Sequence, residues 1–303
     1  MRLLTFNHHS IDENSTIGEV NEFFLELSKG IKKYILEYGI QKSKFYTELE
    51  NFIKYEIIKD YKIIDAIKSL SRDLQSIIWD LITMKCNDDC LNKLSSEDEE
   101  NITDYEVIFS DEALENDYMI LSFVLEKNGI LLSFNRERWV NSSIEVLKYK
   151  DTITEPAYID NIATEEHANY LIRKDILQKL PTTDIIYSNN FKDWLLSLDV
   201  IHRDKTIEKL QFVASQNFEG RRENYIAPIA TKKIDHLKEI IVGSAGGMSY
   251  AQIRVFFKPY AEKYLILNGF IKQNESNQDE KYDEEIEIAN TIFEDIEKET
   301  DEI

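Results

Sequence analysis

The side chains that are the best candidates for binding or catalysis lie in the last third of the chain and are positively charged. Residues 186–275 contain 13 Lys and Arg against 10 Asp and Glu, a local net charge of +3, although the whole chain carries −21. Arg254 stands between Ile253 and the apolar run 255–257, which predicts a strand whose arginine faces away from its immediate neighbours. Because a guanidinium grips two phosphate oxygens with its planar fork, Arg254 is a candidate phosphate clamp; the alternative is a strand arginine paired with a carboxylate.

Further candidate cations surround Arg254 in the sequence. Lys272 ends the next predicted strand and is either a group that neutralises a developing negative charge or a solvated lysine. Arg221-Arg222 and Lys232-Lys233 fall in or beside predicted loops, and Lys258 opens a predicted hairpin connection. These five are candidate RNA-binding residues, and the alternative for each basic pair is an ordinary solvated surface. His236, the histidine nearest the predicted strand, is more typical of a structural or surface residue.

Metal and cofactor chemistry is not predicted for this chain. Cys86 and Cys90 are separated by three residues, whereas zinc sites favour a two-residue gap and two further ligands. His8-His9 lies far from them in the sequence, so we expect two incidental thiols. Gly243-x-x-Gly246-Gly247 has no following Lys-Ser/Thr and therefore does not fit a phosphate-binding loop. We therefore predict that the protein binds no metal ion and no cofactor.

Composition limits the class of protein. With 303 residues, 43% hydrophobic and 11% aromatic, the chain can form one or two domains, and this composition excludes a wholly disordered chain. No run approaches the ~18 apolar residues of a membrane span, and two cysteines exclude a disulfide scaffold. The first residues lack the apolar core of a secretory signal, so we expect a cytoplasmic protein with no membrane partner. The acidic total argues against nonspecific coating of nucleic acid.

The first ~90 residues are predicted to form an all-helical bundle, from their periodicity. Apolar residues from Ile17 to Ile35 recur at three- and four-residue steps, and Thr16 with Glu19 forms a capping-box pattern. Similar periodicity predicts further helices over Phe45–Ile58 and Ile63–Ile82. No cluster of catalytic side chains is evident here, so catalysis in this part of the chain is the weakest of the hypotheses.

A change of pattern after residue 105 predicts a small sheet over 105–150. Met119–Val124 and Ile130–Phe134 are short apolar runs, and Asn128-Gly129 between them is a strong hairpin-turn signal. Glu145–Tyr149 is a further predicted strand, and residues 164–180 are predicted to be helical.

A boundary is predicted near Pro181–Asp184, which divides the chain into domains 1–183 and 184–303. Beyond it the patterns predict two helices, a strand within Ile234–Val242, and a hairpin of Ile253–Phe257 with Tyr264–Ile271. A last helix over Glu284–Glu299 follows. The predicted fold class is α+β, with an N-terminal helical region and a small antiparallel sheet, followed by an α-α-β-sheet-α domain.

Five motifs in the second domain resemble, in the same order, those of the RelE/HigB superfamily of bacterial toxins. The motifs are Phe191-x-x-Trp194-Leu195, Leu237–Ile240, Gln252–Phe257, Leu265–Gln273 and Glu285–Ala289. Together they cover about a third of the chain. Stand-alone toxins of this family are only about as long as residues 186–299, so the resemblance leaves the first ~185 residues without a counterpart.

The resemblance implies a metal-independent endoribonuclease that cleaves mRNA, mostly on the ribosome, and so stops translation. In this chemistry a ribose 2′-oxygen attacks the neighbouring phosphate, so the site needs fixed cations and a proton donor or acceptor. The implied catalytic residues are Arg254, Lys272 and Tyr282, the last because some family members carry a tyrosine just before the final helix. The implied partners are mRNA, the ribosome and an antitoxin protein, and a homo-oligomer is left open. By analogy, an N-terminal regulatory domain would suit a toxin-antitoxin or phage-defence system.

The alternative is a RelE-like protein without catalysis that docks a protein partner. Ile241, Gln273 and Asn268 stand where the family usually has an arginine, a lysine and a histidine. The end of the chain, residues 276–303, has 2 Lys against 12 Asp and Glu, a local charge of −10 that favours a basic protein partner.

Overall fold

The chain forms two compact units, residues 1–172 and 173–303. The computed structural model describes residues 2–84, 106–109, 119–150, 153–218, 226–228, 237–243, 252–272 and 278–301. The division falls inside a helix, Glu165–Gln178, several residues before the boundary predicted near Pro181. The predicted α+β class is confirmed, since the described residues contain eight α-helices and three sheets.

The first unit is built on a six-stranded mixed sheet in the order β2-β1-β6-β8-β7-β5. Its strands are β1 (Arg2–Phe6), β2 (Ser43–Tyr46), β5 (Glu106–Ile108), β6 (Ile130–Leu132), β7 (Ser143–Lys150) and β8 (Ile153–Ile162). Neighbours β2, β1, β6 and β8 run parallel, whereas β7 is antiparallel to both β8 and β5. A separate antiparallel pair consists of β3 (Glu56–Ile58) and β4 (Tyr61–Lys62).

Five helices accompany this sheet: α1 (Ile17–Tyr38), α2 (Ile63–Ser69), α3 (Arg72–Thr83), α4 (Met119–Glu126) and α5 (Glu165–Gln178). The predicted start of α1 is confirmed, because Thr16 Oγ1 accepts from the Glu19 amide and the Glu19 carboxylate accepts from the Thr16 amide. Gly30 lets α1 approach the end of β8 closely, since a Cβ there would lie 2.5 Å from the carbonyl oxygen of Thr164.

Three predictions for the first unit are wrong. The first ~90 residues are not an all-helical bundle, because β1 and β2 lie in the sheet. Phe45–Ile58 contains the end of β2, a 3₁₀ turn at Phe52–Lys54 and β3 rather than a helix. Pairing of β2 with β1 overrides the helical periodicity of that run.

The hairpin predicted around Asn128-Gly129 is the third error, because residues 119–126 form the buried helix α4. A short run that is apolar on every side has the same sequence signature as a strand or as a buried helix. Asn128 has the positive φ (47°) that the pattern predicts, but it ends a helix: the Gly129 amide donates to the Val124 carbonyl oxygen. The predicted strand over Glu145–Tyr149 and the helix within 164–180 are confirmed by β7 and α5.

The second unit has a five-stranded sheet in the order β10-β11-β12-β13-β9. The strands are β9 (Ile185–Tyr187), β10 (Ile226–Pro228), β11 (Lys238–Val242), β12 (Gln252–Tyr260) and β13 (Lys263–Lys272). The helices are α6 (Asn189–Ser197), α7 (Val200–Ser215) and α8 (Gln278–Asp301). Strand β9 is parallel to β13, and all other neighbours are antiparallel. The order α6, α7, β11, the β12–β13 hairpin and α8 agrees with the sequence prediction, whereas β9 and β10 were not predicted.

Two layers of helix enclose this sheet. Helix α8 packs its apolar stripe, which includes Ile286, Ala289 and Phe293, on a face formed by residues such as Phe256 and Leu265. On the opposite face, the ring of Trp194 on α6 lies against Gly269, where an added Cβ would be 2.4 Å from the ring. The predicted site residues of β12 therefore lie on the sheet face that α8 covers.

A β-bulge interrupts the hairpin of β12 and β13. Phe256 pairs with Asn268 and Phe257 pairs with Ile266, which leaves Leu267 without an opposite residue. A bulge turns two successive residues toward the same face of a sheet. Leu267 and Asn268 therefore both contribute to the face beneath α8, the first to its apolar core and the second to its polar end.

In the parts of the chain that the structure describes, no helix combines the length and the apolar character needed to cross a lipid bilayer.

Candidate functional site

The structure brings two predicted catalytic residues, Arg254 and Tyr282, onto one carboxylate, that of Glu239. Nη1 of Arg254 donates to Oε1 of Glu239 at 2.8 Å, and the hydroxyl of Tyr282 donates to Oε2 of Glu239 at 2.7 Å. The side chains of the ion pair are only 14% and 9% exposed, respectively. The two residues thus meet through a buried acidic group that the sequence analysis did not assign to the site.

Strand register explains this meeting. On the antiparallel pair β11 and β12, Glu239 lies opposite Phe256 and Ile241 opposite Arg254, so all four share one sheet face. Glu239 and Arg254 are diagonal neighbours on that face, within reach of two long side chains. Tyr282 comes from the first part of α8, which begins at Gln278 and so includes the tyrosine that was expected just before the helix.

Burial strengthens the preference of Tyr282 for its neutral form. Removal from water raises the pKa of its phenol, and the hydrogen bond to Glu239 raises the pKa further. The hydroxyl is therefore held as a neutral donor to the Glu239 carboxylate at physiological pH. Its ring also packs near Phe256 and Phe270, with centroids 5.8 and 5.6 Å away.

The third predicted catalytic position is on the same face of the sheet. Residue 272 pairs with residue 252 at the end of the β12–β13 ladder, and residue 254 pairs with residue 270. The backbone register thus brings position 272 within two positions of the residue opposite Arg254. The position is compatible with a shared site.

Next to this group, a second polar contact joins β13 to α8. Nδ2 of Asn268 donates to the Glu285 carboxylate at 2.8 Å and to the Glu285 carbonyl oxygen at 3.3 Å. Asn268 is buried, and burial raises the pKa of Glu285, while the hydrogen bond from Asn268 opposes that rise. Asn268 thus joins the final helix to the sheet.

Of the predicted RNA-binding residues, only Lys258 falls within the described residues. Its ammonium lies 3.6 Å from the ring centroid of Phe293 on α8, a cation–π contact. Arg221, Arg222, Lys232 and Lys233 lie outside the described residues, as does His236. The structure therefore places Lys258 against the protein's own helix.

Glu239 is the residue that the sequence reasoning missed in this site. The available signal was its charge in a segment in which Leu237, Ile240 and Val242 are buried and apolar. A carboxylate with 7% relative exposure in such a segment requires a partner. Of the two interpretations of Arg254, the strand arginine paired with a carboxylate is the arrangement present.

A second chemical cluster, in the first unit, was also missed. His8, His9 and Glu48 each offer one ligand atom, and these atoms lie within 4.8 Å of one another. The available signal was weak: His8-His9 lies just beyond Arg2–Phe6, in which three of five residues are apolar and which the analysis had not assigned to a strand. Cys86 and Cys90, the other residues considered for a metal, lie outside the described residues.

Comparisons of this chain with protein-family models, with curated proteins and with solved structures found no significant match.

Proposed function

We propose that residues 173–303 form an RNA-cleaving unit of the RelE/HigB type, which acts on mRNA in the cytoplasm and blocks translation. The observation that supports it best is the convergence of Arg254 and Tyr282 on the Glu239 carboxylate, on the sheet face that also carries position 272. Two residues chosen for their chemistry, Arg254 and Tyr282, thus meet at one carboxylate.

The group contains the types of side chain that the reaction needs. The Glu239 carboxylate takes the proton of a ribose 2′-hydroxyl, and the 2′-oxygen then forms a bond to the adjacent phosphorus. Arg254 binds the non-bridging phosphate oxygens as negative charge develops on them. The bond from phosphorus to the 5′-oxygen breaks, and that oxygen takes a proton from Lys272 or Tyr282. The products are a 2′,3′-cyclic phosphate and a 5′-hydroxyl.

In this proposal the buried ion pair is the resting arrangement. A phosphate reaches Arg254 only by competing with Glu239, and α8 must shift to admit it. The N-terminal unit and an antitoxin protein are proposed as regulators of that opening. Such control suits a toxin-antitoxin or phage-defence role, in which a separate antitoxin protein keeps the nuclease silent and expression of the chain without that antitoxin leaves it active.

The test is expression of the full chain in bacteria, with transcript ends mapped for cyclic phosphate. We expect wild type to slow growth and to generate new ends, and Arg254→Ala to reduce cleavage by about 10²–10³-fold, the usual effect of removing one group that stabilises transition-state charge. Arg173→Ala is the matched control, because Arg173 is an exposed arginine whose ion pair with Asp193 lies outside the site. Absence of new ends for wild type, or equal cleavage by wild type and Arg254→Ala, would contradict the proposal.

A second candidate function is a non-catalytic docking protein. It is favoured by a groove of about 680 Å³ between β9 and α8, where Ile186 and Ile288 are exposed beside the acidic Glu287 and Asp295. Those residue types suit a segment with apolar and basic side chains. This candidate predicts that wild type and Arg254→Ala are equally harmless in the growth experiment, while Ile288→Asp abolishes binding of a basic amphipathic partner.

A further inference from the structure

Two histidines and a glutamate meet at the carboxyl edge of the parallel strands in the first unit. Strands β1 and β2 are adjacent and parallel, with Thr5 opposite Tyr46. His8-His9 follows the end of β1 by one residue, and Glu48 follows the end of β2 by one residue. The carboxyl ends of parallel strands lie at one edge of a sheet, where open α/β sheets bind their ligands.

The spacing of the ligand atoms suits a small metal ion. Nδ1 of His8 lies 3.5 Å from Oε2 of Glu48, and the two imidazole rings have centroids 4.1 Å apart. Ligand atoms about 2.0–2.1 Å from a tetrahedral zinc ion are roughly 3.3 Å from one another. The His8–Glu48 distance is close to this value, and small rotations of exposed side chains bring the third atom, within 4.8 Å, to the same range.

Hydrogen bonds fix the backbone that carries the two histidines. Nδ2 of Asn7 donates to Oγ of Ser133 at 3.0 Å, Oγ of Ser10 donates to the Asn7 carbonyl oxygen at 2.7 Å, and the Phe134 amide donates to Oγ of Ser10 at 2.9 Å. Asn7, Ser10 and Ser133 are all fully or almost fully buried. The turn is thus anchored to the end of β6, which gives a rigid support of the kind that metal sites use.

The loop that follows β2 and carries Glu48 is also held by a hydrogen bond. The Leu49 amide donates to Oγ1 of Thr47 at 3.2 Å, and Thr47 is buried at the end of β2. This bond shapes the turn on which Glu48 stands. Both loops therefore present their polar side chains from constrained positions.

The ring nitrogen of His8 that lies 3.5 Å from Oε2 of Glu48, Nδ1, also lacks a hydrogen bond among the described residues. This nitrogen is buried. A buried ring nitrogen without a hydrogen-bond partner carries an energetic penalty that coordination to a cation removes.

We propose that His8, His9 and Glu48 bind one divalent first-row transition-metal ion, with Zn²⁺ as the reference ion. Two imidazole nitrogens and one carboxylate oxygen select zinc or its neighbours over Mg²⁺ and Ca²⁺, which prefer oxygen ligands. Three protein ligands leave a coordination position open, as in catalytic rather than structural zinc sites. A water molecule at that position would have its pKa lowered toward ~7 and would act as a nucleophile.

The test is a Zn²⁺ titration of the metal-free full chain by calorimetry, with excess Mg²⁺ to occupy sites made only of carboxylates. The protein carries Cys86→Ser and Cys90→Ser so that thiolates cannot bind zinc. We expect one Zn²⁺ per chain, and Co²⁺ at the same site should give the strong visible bands of a low-coordinate ion. His9→Ala and Glu48→Gln each remove a ligand and should weaken binding by more than the ~10–100-fold that loss of an outer partner costs.

Controls separate the site from general effects. His9 and Glu48 are exposed, so their substitution should leave the circular dichroism spectrum unchanged. His202→Ala, in the other unit, should leave zinc affinity unchanged. Failure of the cysteine-free protein to bind Zn²⁺ would overturn the proposal, as would unchanged affinity in both His9→Ala and Glu48→Gln.

Discussion

Removal of the Glu239 carboxylate should loosen the second unit more than removal of any surface charge. Glu239→Ala leaves the guanidinium of Arg254, which is only 14% exposed, without its carboxylate, and it removes the acceptor of the Tyr282 hydroxyl. Breaking a buried ion pair from one side typically costs about 3–5 kcal/mol, because the remaining charge loses a buried partner of opposite sign.

Replacement of the whole polar group should be far milder. In the triple variant Glu239→Leu, Arg254→Met and Tyr282→Phe, no charge or hydroxyl of this group remains to be satisfied. Buried ion pairs exchanged for apolar residues of similar volume are often neutral or stabilising by about 1–4 kcal/mol. We therefore expect the triple variant to be close to wild type in stability.

Amide hydrogen exchange of peptides from 252–272 measures the local stability of the β12–β13 hairpin, without requiring the two units to unfold together. A loss of about 3–5 kcal/mol corresponds to exchange that is roughly a hundred-fold to a few thousand-fold faster, at 1.4 kcal/mol per factor of ten. Arg173→Ala, which breaks an exposed ion pair worth about 0–1 kcal/mol, is the control. The reasoning fails if Glu239→Ala exchanges no faster than this control, or if the triple variant is as unstable as the single one.

Two further predictions concern the hairpin and its helix. Gly269→Ala places a methyl group 2.4 Å from the Trp194 ring, so we expect a loss of about 1–3 kcal/mol in a denaturant titration, which Trp194→Leu should partly restore in the double variant. Glu285→Gln should stabilise the protein near pH 7 but not near pH 4. The raised pKa of Glu285 means that its favourable contribution is full below the unfolded-state value and is lost as the pH rises through the folded-state value. Thermal melts at the two pH values, compared with Glu284→Gln, give the result; an equal shift at both would contradict it.

Local patterns in the sequence were sufficient for most elements of the second unit. The hairpin of β12 and β13 connects neighbouring segments, and the apolar stripe of α8 has a clear helical period. The first unit differs, because β1 pairs with β6, whose residues lie more than 120 positions further along the chain. Arg2–Phe6 is short, and its polar residues, Arg2 and Thr5, do not alternate with its apolar ones, so it has no strand period to detect.

The candidate site was predictable in its residue types but not in its pairing. The chemistry of Arg254 suggested both a phosphate clamp and an ion pair, and only the register of β11 against β12 identifies Glu239 as the partner. In the same way, His8-His9 and Glu48 are about 40 residues apart, and only the parallel alignment of β1 and β2 brings them together. The spacing of these residues along the sequence indicates neither the pairing of Arg254 with Glu239 nor the approach of His8-His9 to Glu48.

The extra residue in β13 changes the phase of the strand halfway along the hairpin. Ahead of it, Leu265 and Leu267 point toward α8; after it, Asn268 and Phe270 do so instead of pointing toward α6. A one-residue deletion at Leu267 would keep both halves as strands, yet it would force one half to turn over. Either α8 would lose the apolar surface on which it packs, or positions 268 and 270 would move to the side of the sheet opposite Arg254. The bulge thus allows one face of the hairpin both to pack against α8 and to carry the polar group around Arg254.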